Sequence, residues 1–101
     1  MSITKKYLKK EPKSKVRFAL SKESANSAKK VQLVGEFNNW DKDATPMKKQ
    51  KTGEFATTID LETGKEYQFR YVLNDENWIN DNEADKYVPN GTGDDNSVVV
   101  I

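Results

Sequence analysis

Short segments of alternating apolar and polar residues, separated by turn residues, run through most of this chain. In the clearest, 66–73, the side chains of Tyr67, Phe69, Tyr71 and Leu73 fall on one side of an extended strand. Similar segments occupy 15–20, 31–35 and 54–61. Strands of this length, with a turn about every 8–12 residues, bury their apolar sides by packing sheet against sheet. The pattern predicts an all-β fold, an antiparallel β-sandwich of about seven short strands.

The remaining segments fit the same plan. Residues 47–50 and 54–61 flank a turn with Gly53, which predicts a hairpin. Residues 87–88 are briefly extended, and 98–101 form an apolar closing strand. The stretch 21–30 has no apolar periodicity and is interpreted as a loop. We therefore expect one domain over 15–101, preceded by a basic N-terminal arm over 1–14.

The composition excludes several kinds of chemistry. The 101 residues include no cysteine and no histidine. Disulfides, thiol catalysis and thiolate metal sites are therefore excluded, and so are the commonest general base and the commonest metal ligand. No stretch approaches the roughly 18 apolar residues of a membrane span, and no apolar segment follows the first basic residues. We expect a cytoplasmic protein without a membrane partner or a cofactor.

The charges are unevenly placed although the net charge is only +1. Seven basic residues and one acid lie between Lys5 and Arg17, whereas seven acids and one base lie between Asp75 and Asp95. A basic arm suggests nucleic-acid binding, but no aromatic RNA-binding strand, zinc knuckle or helix-turn-helix accompanies it. We interpret it as a solvated, partly disordered tail and expect no nucleic-acid partner.

The two tryptophans occupy polar turns. Trp40 follows Asn38 and Asn39, and Trp78 follows Asn77. A planar indole can lie against the C–H face of a sugar ring while amide and cationic side chains bond the hydroxyls. The alternative for Trp40 is a core tryptophan beneath a loop, although its polar neighbours make burial costly. For Trp78 both alternatives stay open, because the adjacent Ile79 faces the opposite way.

Two other kinds of site are considered and set aside. Glycoside hydrolysis needs two carboxylates about 5–9.5 Å apart across a cleft, and a sandwich of this size offers little room for one. The chain is therefore predicted not to be an enzyme. The alternate oxygen side chains of 81–85 are similar to a calcium-binding loop, but its turn glycine and late glutamate are missing. We expect a solvated loop there and no metal.

One combination of motifs resembles a known family. It comprises Gly35-Glu36-Phe37-Asn38-Asn39-Trp40, the strand around Arg70, the second tryptophan at Trp78, and the closing run from Asn96. Together they resemble the early-set, immunoglobulin-like glycogen-binding modules, which include the glycogen-binding domain of the AMP-activated protein kinase β subunit and the N-terminal modules of isoamylases and branching enzymes. The resemblance extends over about 16–101 and implies an immunoglobulin-like sandwich that binds α-1,4-glucans.

The resemblance also implies a set of carbohydrate-binding residues. Trp40 and Trp78 match the two stacking tryptophans, with Asn39 beside the first. Arg70 stands where the kinase module has a sugar-bonding lysine, and Asn96 matches an asparagine that bonds the sugar. The chain departs from the family pattern in the last loop, and two of its residues there belong to the predicted site. These are Thr92, in place of a leucine or aromatic residue, and Asp94, in place of a small or hydroxyl residue.

Two functions of different classes follow. The first is non-catalytic binding of glycogen, starch or maltooligosaccharides, with a glucan-active enzyme as an additional partner. The second is a protein-interaction module that packs against a partner enzyme without binding sugar. Indole exposure distinguishes them: both rings exposed on one face favour sugar, whereas buried rings, or rings on opposite faces, favour the interaction module.

Overall fold

Two antiparallel sheets form a sandwich in the structure, a computed structural model that describes residues 3–7, 12–25, 28–81, 83–91 and 93–101. Sheet A has the strand order β1-β2-β5-β4, and sheet B has the order β3-β6-β9-β8, with β7 also paired to β6. The strands are β1 Ile3–Tyr7, β2 Lys13–Leu20, β3 Val31–Gly35, β4 Lys48–Lys49, β5 Phe55–Glu62, β6 Glu66–Leu73, β7 Asn77–Ile79, β8 Lys86–Pro89 and β9 Asp95–Val100.

The predicted all-β sandwich is confirmed, with nine strands in the described residues rather than about seven. The hairpin around Gly53 is present as β4 and β5, and Gly53 adopts a φ of 93° in its turn. The strands predicted at 31–35 and 66–73 have the predicted bounds. Within the described ranges, the chain has no helix with the length and apolarity needed to cross a membrane.

The basic arm contributes a strand that the sequence pattern did not predict. β1 pairs with β2, and Ile3 lies opposite Phe18 with its side chain buried. On the side of β1 that faces the sandwich, Ile3 is followed by Lys5 and Tyr7, so the apolar alternation is too weak to reveal a strand. Lys5 is held there by an ion pair of 2.7 Å with Asp85. Residues 8–11 of the arm lie outside the described residues.

The core lies between the sheets and follows the predicted alternation. In β6, Phe69 and Tyr71 are fully buried, and their rings meet edge to face with centroids 5.7 Å apart. Sheet A contributes Phe18, whose centroid lies 5.1 Å from that of Phe69. The fully buried core side chains include Val16, Phe18, Leu33, Phe69, Tyr71 and Val99.

β6 is the central strand of sheet B and organises its outer side. One edge of β6 pairs with β3, and the other pairs with β9 and then with β7. Because side chains alternate along a strand, Arg70 and Val72 face away from the core. The register places Val34 opposite Arg70 and Trp78 opposite Val72. This outer side of sheet B therefore carries one of the two tryptophans.

Candidate functional site

The first tryptophan lies on a loop that begins where β3 ends. One turn of 3₁₀ helix, Glu36–Asn38, follows Gly35, and Asn39 and Trp40 then adopt left-handed φ values of 57° and 58°. The Trp40 N–H donates to the Gly35 carbonyl at 2.9 Å and closes the loop. Asparagine tolerates this backbone region, whereas a bulky tryptophan there is an outlier that costs about 1–2 kcal/mol. Observed strain of this kind is typical of a functional position.

The Asn38 side chain holds this loop together. Its Oδ1 accepts the Gly35 N–H at 3.0 Å, and its Nδ2 donates to the Leu33 carbonyl at 2.9 Å and to Thr45 Oγ1 at 3.0 Å. One partly buried amide thus joins the end of β3 to both sides of the loop. The sequence indicated only a turn at Asn38, because partners seven residues away cannot be identified from turn preference.

Phe37 anchors the same loop in the core. Its ring is partly buried and packs against Phe18 and Tyr67, with centroid distances of 5.9 and 6.2 Å. Gly35 permits this packing, because a Cβ at Gly35 would lie 2.6 Å from the Gln68 carbonyl oxygen and 2.9 Å from the Phe37 ring. The loop therefore directs Phe37 inward and leaves Trp40 partly exposed.

The two tryptophans lie together on the outer side of sheet B. Trp78 in β7 is 38% exposed, and its ring stacks on that of Trp40 with centroids 6.5 Å apart and planes inclined by 28°. Trp78 faces outward because its Cα partner is Val72, whose side chain points away from the core. The alternatives left open by the sequence are thereby resolved: both rings reach the surface, on one side.

Polar side chains line the strand beside the indoles. An Arg70 terminal amino group donates to the Trp78 carbonyl at 3.0 Å, and its guanidinium carbon lies 6.0 Å from the Trp78 ring centroid, at the outer limit of a cation–π contact. Asn96 precedes Ser97, the partner of Phe69, which places it next to Arg70. It is almost fully buried, and its Nδ2 donates to Gln68 Oε1 at 3.0 Å.

The outer side of sheet B is unusually well buried near Arg70 and Asn96. Val34, Val72 and Val98 are all at most 1% exposed, although none belongs to the core between the sheets. Gln32, opposite Val72, is equally buried. The outer side thus carries buried apolar side chains of its own, called here the valine layer (Val34, Val72 and Val98), and Trp78 lies opposite Val72 in the register.

The remaining predicted site residues are less closely associated with the indoles. Asn39 is exposed and adjoins Trp40 in the loop. Asp94 is exposed in the turn before β9, where its N–H donates to Asn90 Oδ1 at 3.3 Å and its carbonyl accepts the Asn90 N–H. This turn leads to Asn96, but the contacts of Asp94 are within the turn. Thr92 lies outside the described residues.

The segment that suggested a calcium loop has a structural role at Asp81. Asp81 is buried and accepts a hydrogen bond from the Tyr71 hydroxyl at 2.7 Å, while its N–H donates to Ser97 Oγ at 2.9 Å. Burial, together with the charge and hydrogen bond of Asp81, raises the pKa of Tyr71 well above its usual value. In the part of the chain that is described, no group of three acidic side chains is placed to hold a metal ion.

These features define a small β-sandwich with an aromatic surface formed by two stacked indoles, beside a guanidinium group and side-chain amides. The family model described as the glycogen recognition site of AMP-activated protein kinase matches residues 23–101, more than three quarters of the chain. The chain belongs to this family, and it is a carbohydrate-binding module. A comparison with curated proteins finds no significant match. The resemblance noted from the sequence is confirmed.

Proposed function

We propose that this module binds α-1,4-glucans, such as glycogen, starch chains and maltooligosaccharides, without transforming them. The observation that carries the proposal is the stacking of Trp40 on Trp78 on one exposed side of sheet B. Two adjoining indoles offer a continuous apolar surface against which the C–H faces of consecutive sugar units can pack. The same observation disfavours the alternative of an interaction module whose tryptophans are buried or lie on opposite sides.

The indole spacing limits how the sugar is held. A ring inserted between the two indoles would need about 7–8 Å between their planes, which is twice the contact distance of about 3.5–4 Å. The centroids of Trp40 and Trp78 are only 6.5 Å apart. The glucan therefore lies across the outward surfaces of the pair rather than between the two rings.

Polar groups around the pair supply the hydrogen bonds that orient the sugar. Arg70 is the cationic donor: one amino group is engaged by the Trp78 carbonyl and the Nε is buried, so its other amino group is the one that would bond hydroxyls. Asn39 is exposed beside Trp40 and can bond the sugar directly. Asn96 is buried, and its contribution is to hold Gln68 in place through their hydrogen bond.

The test is a titration of the protein with maltoheptaose, β-cyclodextrin and glycogen, followed by calorimetry and tryptophan fluorescence. A shallow, open surface predicts weak binding, about −4 to −8 kcal/mol, or millimolar to micromolar Kd. Trp78→Ala and Trp40→Gly should each abolish measurable binding. Glycine is chosen at position 40 because it adopts the φ of 58° without strain, so a loss of binding is not a loss of folding.

Tyr7 provides the matched control, because it is an exposed aromatic residue (56%) on sheet A. Tyr7→Ala should bind like the wild-type protein. If the folded wild-type protein gives no saturable response to any of the three ligands, the proposed function is wrong. If Trp78→Ala binds with wild-type affinity, the indole pair is not the binding surface.

A further inference from the structure

The turn that delivers Trp78 to the aromatic surface has a special backbone. It joins β6 to β7, and its residues Asn74 and Asp75 both have left-handed φ values, of 52° and 61°. The two strands pair directly on either side of this turn, with Leu73 opposite Asn77 and Val72 opposite Trp78. Trp78 is therefore only four residues from Asn74, and the orientation of the turn sets the direction in which the indole leaves the sheet.

Asn74 ties this turn to the segment that enters β3. Its Oδ1 accepts the N–H groups of Lys29 and Lys30 at 3.0 and 3.3 Å, and its own N–H donates to the Lys30 carbonyl at 2.9 Å. Val31, the next residue, begins β3, and β3 ends at the loop that carries Trp40. A single asparagine thus links the support of one tryptophan to that of the other.

The arrangement parallels that of Asn38 in the loop of Trp40. In each case an asparagine uses its side-chain amide to bond the backbone of a neighbouring segment, and each is close in sequence to one of the indoles. Side chain–backbone hydrogen bonds of this type fix turn geometry more firmly than exposed ion pairs, whose contribution is small. Position 74 is therefore a structural counterpart of position 38.

Weaker contacts at Asp75 also tie this turn to the segments around Trp40 and the start of β3. Lys42, in the loop after Trp40, donates from its Nζ to the Asp75 carbonyl at 3.4 Å, and Lys30 pairs with the Asp75 carboxylate at 3.3 Å. Both lysine contacts are at the surface, so we assign them a secondary role.

We propose that Asn74 is a positioning residue, which holds the Trp78 turn against the start of β3 and so keeps the two indoles stacked for glucan binding. This inference rests on the proposed function for its consequence in binding, but its geometric content is independent of any ligand. Because Asn74 acts through the backbone, its effect should be on the relative orientation of the rings rather than on direct contact with sugar.

The test compares Asn74→Gly with Asn74→Asp. Glycine keeps the left-handed φ but removes the side-chain acceptor, whereas aspartate keeps both. The exciton couplet that two stacked indoles give in circular dichroism should be lost or strongly reduced in Asn74→Gly and retained in Asn74→Asp. The Kd for maltoheptaose should rise about tenfold in Asn74→Gly, which corresponds to about 1.4 kcal/mol, and stay within about twofold in Asn74→Asp.

Gln50→Ala is the matched control, because it removes another side chain–backbone bond, from Gln50 Nε2 to the Lys48 carbonyl, in a turn of sheet A. Its couplet and affinity should equal those of the wild-type protein. An unchanged couplet in a folded Asn74→Gly overturns the inference, whether or not glucans bind. If only the proposed function fails, the couplet still responds to Asn74→Gly while no variant binds sugar.

A second measurement uses the wild-type protein alone and covers the case in which Asn74→Gly does not fold. The N–H groups of Lys29 and Lys30 lie on exposed residues, yet they donate to Asn74. Hydrogen exchange should find both amides protected well above unstructured backbone. Exchange at the unstructured rate would overturn the inference.

Discussion

Replacing Gly35 by alanine should damage the fold and the aromatic surface together. Gly35 is the last residue of β3, opposite Phe69, and its backbone is fully extended with a φ of −178°. Alanine is therefore acceptable in conformation, so the effect is steric. A Cβ would lie 2.6 Å from the Gln68 carbonyl oxygen and 2.9 Å from two carbons of the Phe37 ring. The carbonyl belongs to the central strand and has little freedom to retreat.

The cost follows from what must move. Forcing an extra methyl group into a packed site typically costs 1–3 kcal/mol, and we expect about 2 kcal/mol because backbone is involved. For a domain of about this size, that lowers the melting temperature by about 8–16 °C. The end of β3 should also separate from β6, and since Gly35 bonds both Asn38 and Trp40, the indole pair should lose its stacking.

The assay is thermal unfolding of Gly35→Ala followed by circular dichroism, with the indole couplet recorded at 25 °C. Gly64→Asn is the control: position 64 has a φ of 78°, which asparagine tolerates, and a Cβ there meets nothing within 4 Å. The control should melt within error of the wild-type protein. An unchanged melting temperature and couplet in Gly35→Ala would show that the close approach of β3 to β6 is not required.

Three further predictions concern other parts of the molecule. Tyr71→Phe removes a buried donor to the Asp81 carboxylate and should cost about 1.5–3 kcal/mol in urea unfolding, with an unchanged m-value; a cost near zero would contradict a structural role for this bond. Asn38→Ala removes three hydrogen bonds from the Trp40 loop and should cost about 1–3 kcal/mol and abolish glucan binding; binding at wild-type affinity would refute this. Partial burial acts to raise the pKa of Asp85, but hydrogen bonds from Lys5 and from a backbone N–H outweigh it, so the pKa lies below the usual 3.8. The ionised form is thus favoured by folding, and its stabilisation is present above about pH 4 and lost as the pH falls through the lowered pKa. The protection of the β1 amides against hydrogen exchange, measured relative to the unstructured rate at each pH, should therefore fall in acid in the wild-type protein but not in Asp85→Asn. Equal pH dependence of protection in the two proteins would exclude this carboxylate as the cause.

The sequence predicted those parts of the fold in which one strand carries its own signal. β6 alternates strongly, so its bounds and its buried side follow from residues 66–73 alone. β1 escaped prediction because its buried side includes Lys5, whose partner Asp85 is 80 residues away. Contacts at that separation depend on the tertiary arrangement and leave no local pattern.

The residues of the aromatic surface could be predicted from the sequence, but their arrangement could not. Trp40 and Trp78 stood out because large aromatics in polar turns are unusual, and the family resemblance paired them. Their stacking depends on the register of β7 against β6 and on the left-handed backbone of Asn39 and Trp40. Neither can be predicted from the periodicity of the sequence. Asn74 was missed for a similar reason, because a turn asparagine looks the same whether its amide faces water or a neighbouring strand.

The valine layer beneath the indoles has a consequence for how this surface can change over generations of mutation. Val72 is fully buried on the outer side of sheet B, and Trp78 is the residue opposite it in β7. Loss of the Trp78 side chain should therefore expose Val72, and exposed apolar sheet promotes self-association. Loss of Trp78 is therefore coupled to self-association, so its replacement during evolution would favour a polar residue at position 72 at the same time.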